Sequence, residues 1–343
     1  MAEAEVVTAP GVTVVIPTRQ RAQVLPTAIE SVLGQKVPGL RLLVCDNASQ
    51  DGTAELVGRY AARDPRVLYH RHPQDVGATA NFQWGMDAVA TEHFLLLSDD
   101  DALLPGVLAR AVEALRAHPE AAMFCGASVV YDARTGEHGV RPARGWLEGL
   151  QPAGEHVARI LEHHFLWTGV VFHARVREAL PPFEPVPLVD VLYLAKAAAL
   201  FPFLVSLQPG AVFRMTGSNA HLTVTAAELE RTRSVMHEAV RALPLPPARQ
   251  AEAEAAVEGN VRGVANRALR EAFAAQRMEA FGALAAYMEG RGWLSPGKRV
   301  RVALTRRLGF RPLLGRARRR EETPALSFQA VTEMYAGPPA EDP

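Results

Sequence analysis

The chain has 343 residues, is 48% hydrophobic and carries 37 Lys plus Arg against 37 Asp plus Glu. That length and apolar content allow a sizeable buried core and exclude a disordered chain, while the balanced charge argues against nucleic-acid binding through bulk positive charge. Only Cys45 and Cys125 occur, with neither disulfide nor metal-ligand spacing, so both are expected as reduced core residues.

Residues 1–11 form a tail containing Glu3 and Glu5, without the basic-then-apolar pattern of a secretory signal. No apolar run reaches the roughly 18 residues of a membrane span, so a cytoplasmic protein, soluble or peripheral at the inner face of the membrane, is expected. From Val12 strands and helices alternate, the pattern of a parallel sheet covered by helices. Residues 12–16 read as the first strand. Leu25, Ala28, Ile29, Val32 and Leu33 then recur at helical spacing. Residues 40–45 are the second strand, followed by a polar turn from Asp46 to Gly52 and a helix containing Leu56, Val57 and Tyr60. A short third strand is expected at 67–69, a helix at 81–89, the fourth strand at 93–97 and a helix at 107–115.

Beyond a β-rich stretch at 121–131 the pattern loosens. Helical patches at 156–162 and 189–200 flank a link containing Pro181, Pro182, Pro185 and Pro187, and an apolar segment at 203–207 precedes Val212-Phe213-Arg214. Residues 225–289 are alanine-rich and helical. Residues 291–320 carry Lys298, Arg299, Arg301, Arg306, Arg307, Arg311, Arg316 and Arg318 to Arg320 without an acidic residue. Leu304, Leu308, Phe310, Leu313 and Leu314 are interleaved, so this segment reads either as a peripheral contact with an anionic bilayer or as a solvated basic helix. Residues 321–343 read as a tail.

The chemistry concentrates in Asp99-Asp100-Asp101, which ends the apolar run from Phe94 to Leu97. Carboxylates at the carboxyl edge of a buried parallel strand lie where ligands bind, and their crowding calls for a hard divalent cation such as Mn2+ or Mg2+. A plainer reading makes Asp101 the cap of the helix that begins near Pro105.

Three segments taken in order, Ile16-Pro17-Thr18-Arg19, the stretch from Val44 to Thr53, and Leu97-Ser98-Asp99-Asp100-Asp101, resemble the nucleotide-binding half of the family 2 inverting glycosyltransferases. The resemblance implies the GT-A fold: an α/β domain at 12–224 with a mixed, mainly parallel sheet flanked by helices, divided into a nucleotide-binding half, 12–115, and an acceptor half, 116–224. A helical, basic C-terminal extension at 225–320 follows. It implies transfer of a sugar from a nucleoside diphosphate sugar, UDP-sugar favoured, to a hydroxyl of a glycan, lipid-linked or small-molecule acceptor in glycan or glycolipid biosynthesis.

By the same resemblance, Pro17, Thr18 and Arg19 present a loop to the nucleotide, and Asp46 accepts a hydrogen bond from uracil N3. The residue-level alternatives are an Asx-turn for Asp46 and an N-cap for Asp51. Asn81, after the segment from Asp75 to Ala80, lies near the ribose and sugar. Asp99 faces ribose or metal, with Asp100 and Asp101 as metal ligands. Ser98 stands where the longer family pattern has an acid. Arg21 and Arg71 are further cations that could approach the nucleotide.

An inverting transfer needs a base opposite the leaving group. The resemblance assigns it to Asp190, in the segment from Pro187 to Leu194, with Glu184 in reserve; Val189 replaces an acid that often precedes the aspartate. Trp167 is a candidate for stacking on an acceptor sugar or a core residue, and His221 a candidate ligand of metal or diphosphate.

The first turn lacks the G-x-G-x-x-G of a dehydrogenase and the glycine- and arginine-rich loop of a sugar nucleotidyltransferase. A catalytically silent sugar-nucleotide-binding or scaffold protein is the competing class.

Overall fold

The computed structural model describes residues 9–141, 145–216, 224–308 and 326–336. The first half alternates β1 (Ala9–Thr18), α1 (Leu25–Leu33), β2 (Leu40–Asp46), α2 (Thr53–Ala61), β3 (Val67–Arg71), α3 (Ala78–Asp87) and β4 (Thr91–Leu96). Then come β5 (Ala102–Leu103), α4 (Val107–Ala117), β6 (Met123–Asp132), β7 (His138–Arg141), β8 (Gly149–Gln151) and α5 (Val157–Glu162). A 3-10 turn (Trp167–Gly169) leads into β9 (Val170–His173), α6 (Ala174–Ala179), α7 (Val189–Leu200) and β10 (Phe203–Met215). Five helices complete the described chain: α8 (Ala226–Arg241), α9 (Pro247–Ala274), α10 (Met278–Gly290), α11 (Pro296–Leu308) and α12 (Phe328–Ala336).

The sheet runs β3-β2-β1-β4-β9-β6-β10-β5, with β7 on β6 and β8 on β10. β1 is parallel to β2 and β4, β2 to β3, and β6 to β10. β9 runs antiparallel between β4 and β6. The sheet is therefore mixed and mainly parallel.

The strands are apolar throughout because both faces are covered, and alternate residues feed different cores. Val15, Leu43, Cys45, Phe94 and Leu96 join one core with α5, α7 and α9. Val14, Ile16, Leu42, Val44, Leu95 and Leu97 join the other with α1 and α4. Val257, Val261, Val264, Leu284 and Val302 from α9, α10 and α11 belong to the first of these cores, so these helices close one face of the sheet domain, whereas Val331 of α12 packs separately with Tyr131 and Val212.

Several sequence expectations change in detail. Pro17 and Thr18 are not in a loop after the first strand; they are its last two residues, paired with Cys45 and Asp46. The segments 203–207 and 212–214 are one strand, β10, whose register shifts around Pro209 broke the alternation that marks a strand. Asp101 does not cap α4, whose N-cap is Gly106. Cys45 and Cys125 are free and buried, as expected.

Within the basic segment, Val302 and Thr305 of α11 face the protein. Arg306 pairs with Glu289 at 3.6 Å, Lys298 donates to Asn266 at 2.6 Å, and Arg291 is bound to Glu230. Arg311, Arg316, Arg318, Arg319 and Arg320 lie outside the described residues. No helix among the described residues is long and apolar enough to cross a membrane.

Candidate active site

The carboxyl ends of β1, β2 and β4 converge because Thr18 pairs with Asp46 while Val15 pairs with Leu96. Asp46 is fully buried. Its Oδ2 accepts from the Tyr69 hydroxyl at 2.6 Å and lies 3.7 Å from Arg71 Nε, while Oδ1 accepts from Ser49 N at 2.9 Å. Burial pushes the Tyr69 hydroxyl pKa up, and its bond to the Asp46 carboxylate adds to that rise. Oδ1 thus holds the turn at Ser49, three residues on, while Oδ2 lies beneath the half-exposed Arg71, whose Nη2 donates to Ser49 O at 2.8 Å.

The loop at 75–81 folds over this strand end. Asn47 Nδ2 donates to Asp75 Oδ1 at 2.6 Å, Val76 N to Asn47 Oδ1 at 2.9 Å, and Arg19 pairs with Asp75 Oδ2 at 2.9 Å. Asn81 is buried and donates to Cys45 O at 2.9 Å, so it braces the end of β2 from within. Asp51 accepts from Ala22 N at 3.0 Å and from Thr53 Oγ1 at 2.6 Å, tying the first loop to the start of α2, whose N-cap is Gly52.

The three successive aspartates have three different environments. Asp99 Oδ2 accepts from Thr18 Oγ1 at 2.7 Å; burial lifts its pKa to about 6, the Thr18 bond opposing and the Asp100 charge adding. Asp100 faces Arg21, with Nη1 at 3.5 Å, and burial again raises its pKa while Arg21 opposes. Asp101 is sealed from solvent: Oδ1 accepts from Arg214 N at 2.8 Å and Oδ2 from Thr168 Oγ1 at 2.7 Å. Burial raises its pKa well above the usual carboxylate range, and the Asp100 charge adds to that rise. Asp101 therefore joins three pieces of backbone, whereas Asp99 and Asp100 remain partly open at the sheet edge.

Such crowded, half-desolvated carboxylates fit a divalent cation, since a cation would favour the charged form that burial disfavours. A cation of this kind is held by one or two carboxylates together with substrate phosphates. Asp100 and Asp99 would supply the carboxylates of such a set. Among the described residues no group of three or more His, Cys, Asp and Glu side chains forms an all-protein metal cage.

Asp190 lies in the first turn of α7 and is partly exposed. The preceding turn is bent by Leu188, a bulky residue with φ 68° and ψ 21° in the left-handed region. Gln20 (φ 55°) and Ala48 (φ 57°), in the first two loops of the sheet edge, share this conformation. Such backbone costs about 1–3 kcal/mol per residue and collects at functional loops. It is a signal that composition and spacing do not carry.

Glu184 is bound to the buried Lys196 by a short ion pair. Trp167 packs among Phe82, Phe183 and Tyr193, with ring centroids 5.2–6.1 Å away, so it is part of the core beside the site. The same turn needs its glycine: a Cβ on Gly169 would sit 2.6 Å from Ser128 Oγ and 2.7 Å from Gly126 O. His221 lies outside the described residues.

A mixed sheet of this order, with acidic residues at the ends of its second and fourth strands, defines the GT-A-like class of α/β proteins. Residues 13–180 match the sequence profile of glycosyl transferase family 2. It is 31% identical over 105 residues to the GalNAc(5)-diNAcBac-PP-undecaprenol beta-1,3-glucosyltransferase of Campylobacter jejuni, covering 30% of this chain and 34% of that one. It is 34% identical over 106 residues to the undecaprenyl-phosphate mannosyltransferase of Micrococcus luteus, covering 30% and 43%. The match thus spans about a third to two fifths of the length of these curated relatives. Among solved structures, S. aureus TarS 1-349 in complex with UDP-GlcNAc has a TM-score of 0.57 at 15% identity, covering 87% of this chain and 88% of that one. The Pyrobaculum calidifontis mannosyltransferase PcManGT, in complex with GDP-Man and Mn2+, has a TM-score of 0.50 at 20% identity, covering 88% of each. These structural likenesses show the fold.

Proposed function

We propose that this protein is an inverting glycosyltransferase that moves a sugar from a nucleoside diphosphate sugar, UDP-sugar favoured, to an acceptor hydroxyl. The observation that carries the reading is the pairing of Thr18 with Asp46 at one sheet edge, with Thr18 also bonded to Asp99 at 2.7 Å. A carboxylate assigned to the base and one assigned to the ribose are thereby tied to the same strand end. The UDP-GlcNAc bound by TarS 1-349 supports the donor class, and the undecaprenyl-linked substrates in the names of two relatives support a lipid-linked acceptor.

In this reading, Asp46, which holds Ser49 N on Oδ1 and the Tyr69 hydroxyl on Oδ2, offers the remaining lone pair of Oδ2 to the imide N–H of uracil once Arg71 swings off it. Thr18 orients Asp99 toward the ribose. Asp100, with Asp99 beside it, would hold Mn2+ or Mg2+; when bound, the ion neutralises the diphosphate leaving group. Asp101 is assigned to the scaffold and not to the metal, because protein donors already occupy both of its oxygens.

Asp190 takes the acceptor hydroxyl proton as the acceptor oxygen forms its bond to the anomeric carbon. The bond from that carbon to the diphosphate oxygen breaks, and its electron pair leaves with the nucleoside diphosphate. One displacement inverts the anomeric centre. Pairing with Lys196 makes Glu184 the weaker choice of base.

The test is a donor screen that measures nucleotide release with Mn2+ and an acceptor lipid extract. Release of UDP from one UDP-sugar supports the reading. Tight UDP binding without release from any donor would favour the silent binding protein.

A further inference from the structure

A second constellation lies away from the sheet edge, between the end of β7, the end of α5 and the middle of α9. Here Arg141, His163, His164, Arg262 and Arg267 line a cleft of about 710 Å³. Among the described residues, Glu162 is the one carboxylate in its wall.

The arginines of the neighbouring helices are mostly matched by acids. Arg233 pairs with Glu258 at 2.8 Å, Arg241 with Glu254 at 3.3 Å, and Arg249 with Glu252 at 2.8 Å. Among the described residues, Arg141, Arg262 and Arg267 have no such acid partner. Arg267 is only partly exposed, and its pKa is lowered by burial and then by the charges of Arg141 and Arg270. Arg141 and Arg262 are exposed at the rim; holding the partly buried Arg267 beside other cations without an anion costs free energy, and an oxyanion would offset that cost.

The floor of the cleft is open backbone. Gly259 and Gly263 sit one turn apart within the 28-residue α9, and a Cβ at either would meet nothing closer than 3.7 Å. Each glycine costs a helix interior about 1 kcal/mol relative to alanine. Packing does not require these glycines, so what they provide is room.

The cleft also adjoins the proposed base. His164 lines it, with a sealed Nδ1 that lacks a hydrogen-bond partner among the described residues. Burial lowers the His164 pKa, and the Asp190 carboxylate opposes that shift, so the two side chains are within electrostatic reach.

We propose that this cleft binds an oxyanion of the phosphate class on the acceptor, so that Arg141, Arg262 and Arg267 hold the acceptor while its hydroxyl meets Asp190. The word acceptor rests on the glycosyl-transfer reading; anion binding at the arginines does not. Arginine forks match phosphate oxygens bidentately, which favours a phosphate or diphosphate ester over a neutral glycan.

The test is calorimetric titration of the full chain with sodium pyrophosphate in EDTA, beside a separate titration with UDP and Mn2+. Wild type should bind pyrophosphate with an affinity that falls as salt rises. R262Q/R267Q should lose at least about tenfold of it, because two charge-assisted arginine forks on the anion are removed. UDP binding should be unchanged in that variant. Gly263→Leu, which fills the floor without removing charge and favours the helix, should lose pyrophosphate binding too.

Equal pyrophosphate affinity in wild type and R262Q/R267Q, or no binding by wild type, would overturn the proposal. Pyrophosphate binding at the arginines together with absent UDP binding would sustain the anion site and sink the glycosyl-transfer reading. Sedimentation with phosphatidylglycerol vesicles, absent with phosphatidylcholine and lost in R262Q/R267Q, would place the oxyanion on a lipid. Pyrophosphate binding without vesicle binding would place it on a soluble acceptor.

Discussion

Thr168 donates its hydroxyl to Asp101 Oδ2 at 2.7 Å inside a sealed part of the sheet edge, while Arg214 N donates to the other oxygen at 2.8 Å. The carboxylate joins the loop after β4, the turn before β9 and the end of β10. Asp101→Ala strands two buried donors and should destabilise by roughly 2–5 kcal/mol, read from urea unfolding. In Asp101→Asn the amide oxygen can keep the Arg214 contact while the amide N–H donates to a rotated Thr168 hydroxyl. That variant should lose far less stability and keep its response to manganese; loss of the manganese response would return Asp101 to the metal.

Asp100, facing Arg21 at 3.5 Å, has no comparable bracing role. Asp100→Asn should leave the thermal melt nearly unchanged. A metal ligand contributes several kcal/mol to leaving-group stabilisation, so manganese-dependent UDP release should fall on the order of 100-fold or more. A manganese titration of initial rates decides it, and an unaltered curve would remove Asp100 from the metal site.

Asp190, at the start of α7 behind the left-handed Leu188, is the proposed base. Asp190→Asn should lower kcat by about 100- to 10,000-fold with little change in KM for the donor. Product configuration is a separate check by proton NMR: retention of the donor's anomeric form would exclude the single displacement.

His93, buried on β4 with Nδ1 lacking a hydrogen bond among the described residues and lying 3.8 Å from Glu92 Oε2, sets a pH dependence of stability. Burial lowers its pKa, Glu92 opposing and His173 adding. The folded protein therefore binds fewer protons at this site than the unfolded chain does below the free-histidine value of about 6.5. Its contribution is intact above that value and is lost as pH falls through the lowered folded value. The melting temperature of wild type should drop more between pH 7 and pH 5 than that of His93→Gln. Parallel losses in both proteins would assign the acid limb elsewhere.

The strands of the first half, and the placing of Asp46 and Asp99 to Asp101 at strand ends, were legible because strands covered on both faces must be continuously apolar. A run such as Phe94 to Leu97 has only one way to end in charge, at the sheet edge. The division of labour among three adjacent aspartates was not legible. Successive residues of a turning backbone point in different directions, and only the packing of β10 and the 3-10 turn decides that Asp101 is enclosed while Asp100 faces Arg21. The pairing of Glu184 with Lys196, the antiparallel insertion of β9, and a cleft drawing arginines from β7 and α9 likewise join residues far apart in the chain. Local periodicity determined the elements and the type of edge; tertiary packing decided which polar groups find partners and which remain free for a ligand.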